Sequence, residues 1–197
     1  MTGHGEGDWP VELRGVTESV VTTQGPNELW NVAALGLSEP EKGGPVTATT
    51  WGRTRTWRNF SERGEGYVQF TRDPVDFAEA ALSVREESDP VLDSADAWVR
   101  VGVERLDEGE DGGTQWVEWA LVPEESCIER RTVPTTNRGH AAVVEATVAA
   151  SRLDVPAYDR EEMRSRLAYF ESVVETAGSE RERFAFDRVR ELVDAEW

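Results

Sequence analysis

Ten consecutive residues, Trp51-Gly52-Arg53-Thr54-Arg55-Thr56-Trp57-Arg58-Asn59-Phe60, hold three arginines and no acid. They sit in a chain of 197 residues whose 39 Asp+Glu outnumber its 21 Lys+Arg, for a formal net charge of −18. An arginine fork matches two phosphate oxygens at once, and threonine hydroxyls add neutral donors. At the start of a short helix, backbone amides would join them. Arg53, Thr54, Arg55 and Thr56, with Asn59 a turn later, are therefore candidates for holding a phosphate or phosphomonoester. The competing account is that these arginines pair with surrounding carboxylates, and composition does not separate the two.

Two further segments could shape a ligand site. Val21-Thr22-Thr23 is followed by Asn31-Val32-Ala33-Ala34-Leu35-Gly36, whose small residues would let a flat ring lie against backbone. A plain hairpin with an asparagine at its edge has the same pattern. Asn137-Arg138-Gly139-His140 opens an alanine- and valine-rich run. There Asn137 reads as a helix cap and Arg138 as free to face a ligand or partner.

Other chemistries lack their residues. His4 and His140 are the two histidines and Cys127 the one cysteine, too few for a zinc site or a disulfide. No nucleophile elbow surrounds His140, and no Walker loop or dinucleotide fingerprint occurs. Asp107 to Gly112 with Glu118 imitates a calcium loop, but Gly109 stands at its third position and the flanks alternate like strands. That stretch reads as a solvated hairpin tip.

The elements that must position these residues divide by period. From about Val16 to Pro123 the pattern is strand and turn; from about Gly139 to Trp197 it is helix. Glu18–Thr23 and Leu29–Leu37 flank the turn Gln24-Gly25-Pro26-Asn27 and predict a hairpin. Val46–Trp51 and Gly66–Thr71 read as strands, Thr54–Arg63 as a short helix or turn, and Asp73-Pro74 as a helix start. Trp98–Leu106 and Gln115–Val122 alternate on either side of an acidic glycine-rich link, which predicts a long hairpin. Asp159 to Glu162 and Ser179 to Glu182 are capping-box patterns around a break at Gly178. The predicted class is α+β, with about six mostly antiparallel strands in a small barrel and a helical C-terminal end. Expected boundaries are a mobile segment 1–15, a barrel domain 16–136 and a helical subdomain 137–197.

Charge narrows the partners. At −18 the chain repels the nucleic-acid backbone and anionic membrane surfaces. No apolar run approaches a spanning helix and the N-terminus lacks a secretory pattern, so the expectation is a soluble cytoplasmic protein. Lys42 is the single lysine. Acid excess with so little lysine suits a salt-rich cytosol, where carboxylates stay hydrated and their repulsion is screened; a halophilic source is the expectation.

Taken in order and spacing, Glu18–Thr23, Asn31-Val32-Ala33, Thr54–Phe60, Asn137-Arg138-Gly139, Ala142–Ala146 and Ser151-Arg152-Leu153 make the chain resemble the archaeal domain-of-unknown-function family 447, or DUF447. The resemblance covers about Glu18 to Glu196. It implies an FMN-binding split β-barrel, as in flavin reductases and pyridoxamine-phosphate oxidases, with a C-terminal helical extension. It also implies a homodimer with FMN at the subunit interface. By the same resemblance Thr54, Arg55, Thr56 and Asn59 match the flavin-phosphate site, and Arg53 adjoins them. Thr22, Thr23 and Asn31 match the strand pair along the isoalloxazine ring, and Ala33 is assigned to the ring beside them. Ala34 replaces a common proline and Thr54 a common serine, while Trp30, Trp51 and Trp57 add bulk nearby.

These expectations make the chain an FMN-binding flavoprotein, an oxidoreductase of unknown substrate. A nicotinamide cofactor or a small-molecule electron acceptor would then be its partner. The flavin would carry the redox chemistry and the protein would anchor and orient it. No residue stands out as an obligatory acid or base. The alternatives are a non-enzymatic flavin or phosphate-ligand binding module, or an interaction dimer that has lost FMN.

Overall fold

The structure, a computed structural model, describes residues 3–40, 43–193 and 197. Its chain falls into two compact units. One comprises Met1–Arg72 with Arg85–Arg131, the other Asp73–Val84 with Thr132–Trp197.

The first unit is built on strands. β1 is Gly3–Glu6, β2 Val16–Gln24, β3 Trp30–Ser38 and β4 Val46–Trp51. After helix α1 (Arg55–Arg63) come β5 (Glu65–Thr71), the short β6 (Arg85–Glu87), β7 (Ala95–Asp111) and β8 (Thr114–Ile128). The sheet runs β8-β4-β3-β2-β5-β7, and β7 pairs with β8 to close it into a six-stranded antiparallel barrel. Closure leaves no bare outer strand in that ring. β-branched residues at every second position supply the lining: Val21, Val46, Val68, Val99, Val101 and Val117 are buried with Leu37, Trp119 and Leu121. Phe60 of α1 joins them, edge-on to Trp119 at 5.5 Å.

One seam of the barrel is short. β3 meets β4 only at Leu37–Ala48 and Ser38–Thr47. Near its start the same edge of β3 is covered by β6, through Trp30–Glu87, Asn31–Glu86 and Val32–Arg85. Residues 33–36 thus pair with β2 alone among the described residues.

Within the first fifteen residues, expected to be mobile, Gly3–Glu6 pairs antiparallel with β8. Trp9 and Leu13 pack on the barrel core.

The second unit holds α2 (Pro74–Leu82), α3 (Arg138–Ser151), α4 (Arg160–Ala177) and α5 (Glu180–Leu192). The sequence boundaries put 73–84 in the barrel domain; by its packing this segment goes with the helices. The reason is the apolar face of α2, whose Val75 and Ala78 are buried with Val143, Leu167, Phe186 and Val189. Asp73 caps α2, accepting from the Val75 amide at 2.9 Å, and pairs with Arg181 of α5. Burial alone would raise the Asp73 carboxyl, but Arg181 and the amides outweigh it and hold the carboxyl below its ordinary range. α3 begins at the Asn137 cap, and Gly139 there approaches Gly178 at the end of α4. A Cβ on Gly139 would lie 2.5 Å from the Gly178 Cα. α5 opens on the Ser179–Glu182 capping box. Among the described residues no helix is long and apolar enough to cross a membrane.

Candidate functional site

The arginine-rich segment folds as the end of β4, a turn at Gly52 and Arg53, and the first turn of α1. Thr54 is the N-cap: its hydroxyl accepts from the Trp57 amide at 3.1 Å. The Arg55 and Thr56 amides stand where a helix has no acceptor of its own, and no acid occupies that turn. This is the electrostatic end that favours an anion.

Two buried residues fix α1 in place. Thr56 is buried, and Asn59 is 1% exposed. Asn59 Nδ2 donates to Thr23 Oγ1 at 3.0 Å and to the Thr23 carbonyl at 3.2 Å. Its Oδ1 accepts from Arg58 Nε at 3.2 Å and Nη2 at 3.1 Å. The Asn59 amide group is thereby spent on tying helix to strand.

Thr23, Asn31 and Glu86 lie opposite one another across β2, β3 and β6. Arg55 Nη1 reaches the Glu86 carboxylate at 2.7 Å, and Asn27 Nδ2 donates to its other oxygen at 3.3 Å. Thr23, Asn31, Arg55 and Asn59 therefore converge, with Thr54 and Thr56 beside them. The pairing of arginine with carboxylate is realised at Arg55.

Thr22 serves the interior. It is fully buried, donates to the Pro90 carbonyl at 2.5 Å and accepts from Gln69 Nε2 at 3.1 Å. Gln69 also donates to Pro90 at 2.8 Å, and its Oε1 accepts from the Leu92 amide at 2.7 Å. This network fastens the segment after β6 onto β2 and β5. Sequence reasoning missed both Gln69 and Glu86. The available signal for Gln69 was an uncharged polar residue between Val68 and Phe70 in an apolar strand.

Ala33 is half-buried at the start of the open stretch 33–36. On the edge away from β2 that stretch has no strand partner among the described residues, and its side chains at Ala33, Ala34 and Gly36 are small.

Arg53 has different company. Its guanidinium lies over the Trp57 ring, 5.7 Å from the centroid. It lines a cleft of about 530 Å³ with Trp57, Arg105, Glu108, Glu110, Gln115 and Trp116. The other bulky residues settle elsewhere: Trp30 packs edge-on to Tyr67 at 5.3 Å, and Trp51 is 53% exposed. In the helical unit Asn137 caps α3, accepting from Gly139 at 2.8 Å. Arg138 lines a shallow depression with Tyr169 and Phe170.

Among solved structures the chain is similar to an FMN-bound protein of Methanosarcina mazei. The two share 24% identity over 92% of this chain and 96% of that one, with a TM-score of 0.77. It is also similar to nitrilotriacetate monooxygenase component B of Bacillus cereus, at 14% identity over 55% of this chain and 68% of that one, with a TM-score of 0.41. No curated protein matches the chain. The N-terminal domain model of the protein family of unknown function DUF447 matches residues 17–130, and its C-terminal model matches 137–191. Matched over most of its length in both parts, the chain belongs to the DUF447 family.

Proposed function

We propose that this protein binds FMN and works as a flavin-dependent oxidoreductase, assembled as a homodimer. The observation that carries the proposal is the start of α1. In a chain of net charge −18, its first turn is free of acids, capped by Thr54 and flanked by Arg53 and Arg55. The open strip 33–36 of β3 and the row Thr23–Asn31 lie in the same unit. The residues fit the cofactor in kind: a helix start and an arginine for a phosphomonoester, and small-residue backbone for a flat ring.

In this assignment Thr54, Arg55 and the Arg55 and Thr56 amides hold the phosphate, and Arg53 stands next to them. Asn31 and Ala33 border the ring. Thr22, Thr23, Thr56 and Asn59 hold the walls, because their side chains are buried and those of Thr22, Thr23 and Asn59 are bonded internally. FMN, when bound, supplies hydride and electron transfer. The crystal structure of the similar M. mazei protein, described as FMN-bound, supports this reading.

The test is an absorption spectrum of the protein purified at high salt, followed by FMN titration. A flavin spectrum, or saturable quenching of FMN fluorescence, is expected. A colourless protein indifferent to FMN would overturn the proposal. Arg55 would then serve Glu86 alone, and an interaction role would be favoured. Reduction of the bound flavin by a nicotinamide donor and its reoxidation by an acceptor would separate an enzyme from a carrier.

A further inference from the structure

The cleft beside Arg53 is left unused by the flavin assignment. At about 530 Å³ it falls within the range of cavities that enclose drug-sized ligands. Two indoles, Trp57 and Trp116, and two guanidiniums, Arg53 and Arg105, line it. Gly109 makes room for one of these rings. A Cβ there would stand 2.6 Å from Trp116 Cζ2 and 2.8 Å from its Cε2, so only glycine lets the indole lie against β7.

The charges in the cleft are not equivalent. Arg105 Nη1 is paired with Glu108 at 2.8 Å, and its guanidinium lies 5.4 Å from the Trp119 ring centroid. Arg53 has no carboxylate partner among the described residues, although the chain carries 39 acids. An arginine that stays unpaired among so many carboxylates, resting on an indole, is poised for an incoming anion. Gln115 and Glu110 can take the hydroxyl or amino donors of the same ligand.

We propose that this cleft is a second ligand site, distinct from the flavin anchor, for a planar aromatic anion of nucleotide size. The ring would lie on Trp57 and Trp116, and the anionic group on Arg53. Arg53 and Arg55, on either side of the Thr54 cap, would then serve two ligands. The inference stands on the cleft alone and does not need the flavin proposal.

Isothermal titration of the intact protein tests it. The probes are AMP, adenosine, inorganic phosphate and 2-naphthoate, each with and without saturating FMN. AMP or 2-naphthoate should bind saturably in both conditions, and which of them binds tells a nucleotide from an aromatic carboxylate. Adenosine and inorganic phosphate should bind at least about tenfold more weakly than AMP, because each lacks one half of the recognition. Arg53→Ala should weaken the bound probe by about tenfold or more, a larger loss than it causes in FMN affinity. Gly109→Ala, which displaces the Trp116 ring and leaves every charge in place, should weaken it several-fold.

Failure of both AMP and 2-naphthoate to bind at millimolar concentration overturns the inference. So does loss of AMP binding on FMN saturation, which would make the cleft part of the flavin site. A protein that ignores FMN yet binds AMP through Arg53 would sink the flavin proposal and leave this one standing.

Discussion

Asn59 and Thr23, thirty-six residues apart, are joined by two hydrogen bonds from one side-chain amide, at 3.0 Å to the hydroxyl and 3.2 Å to the carbonyl. This pair fixes the angle at which α1 presents its first turn to the barrel. A helix start is useful to an anion only if it is aimed, and Asn59 does the aiming from inside.

Replacing Asn59 with Leu should therefore act twice. The variant leaves buried polar groups on Thr23 unpaired and should lose about 1–3 kcal/mol of stability. It should also weaken FMN, although Asn59 touches no ligand in the proposed assignment. Denaturant midpoints measure the first effect and FMN titration of the folded variant the second. An unchanged midpoint would remove Asn59 from the frame.

Arg55 and Glu86 should respond in opposite directions. Glu86 holds Arg55 at 2.7 Å and, in the proposed assignment, would compete with an incoming phosphate. Arg55→Ala should weaken FMN by about tenfold or more, and Glu86→Gln should tighten it several-fold. Riboflavin lacks the phosphate, so its affinity should move little in either variant. Equal shifts for FMN and riboflavin would place Arg55 away from the phosphate.

Gly139→Ala should destabilise the helical unit. The added Cβ meets the backbone of Gly178 at 2.5 Å, and backbone cannot swing aside as a side chain would. A loss of about 2 kcal/mol or more is expected, read as a lowered thermal midpoint with reduced helical circular dichroism. A midpoint equal to wild type would show that the α3 start has slack.

Acid should cost this protein stability. Burial opposes ionisation at Asp96, but Arg72 and Arg130 hold its carboxyl below the ordinary 3.8. Asp73 is lowered in the same way by Arg181 and its capped amides, and Glu182 is held below 4.5 by Ser179. The folded state therefore binds these protons less readily than the unfolded one. Their contribution is complete above the ordinary values and is lost as pH falls below about 4.5 toward the depressed ones. Urea unfolding between pH 6 and pH 3 should show this decline, and Asp73→Asn or Asp96→Asn should flatten it. Partial exposure of the arginines keeps each contribution small.

Local chemistry was readable in the sequence, and distant pairing was not. Thr54, Asp73, Asn137, Asp159 and Ser179 each cap the helix that their residue type announces, because a cap acts within one turn. The β7–β8 hairpin followed from alternation alone. Glu86 could not be foreseen beside Arg55, nor Gln69 beneath Pro90, because three-residue β6 has no period to detect and those contacts span long loops. The far wall of the cleft, Arg105 and Trp116, comes from the two strands that alternation predicted, but nothing local showed that their ends face the turn at Arg53.

The place of α2 in the chain sets an order of events during synthesis. Its buried face, Val75 and Ala78, packs against residues that emerge only after Arg138 and, for Phe186 and Val189, more than a hundred residues after α2 itself. A growing chain must carry that helix uncovered while the last barrel strands are made. A chain stopped before α3 would leave that face bare, and one stopped between α4 and α5 would leave it half covered, so truncated copies would expose apolar surface that the full chain hides.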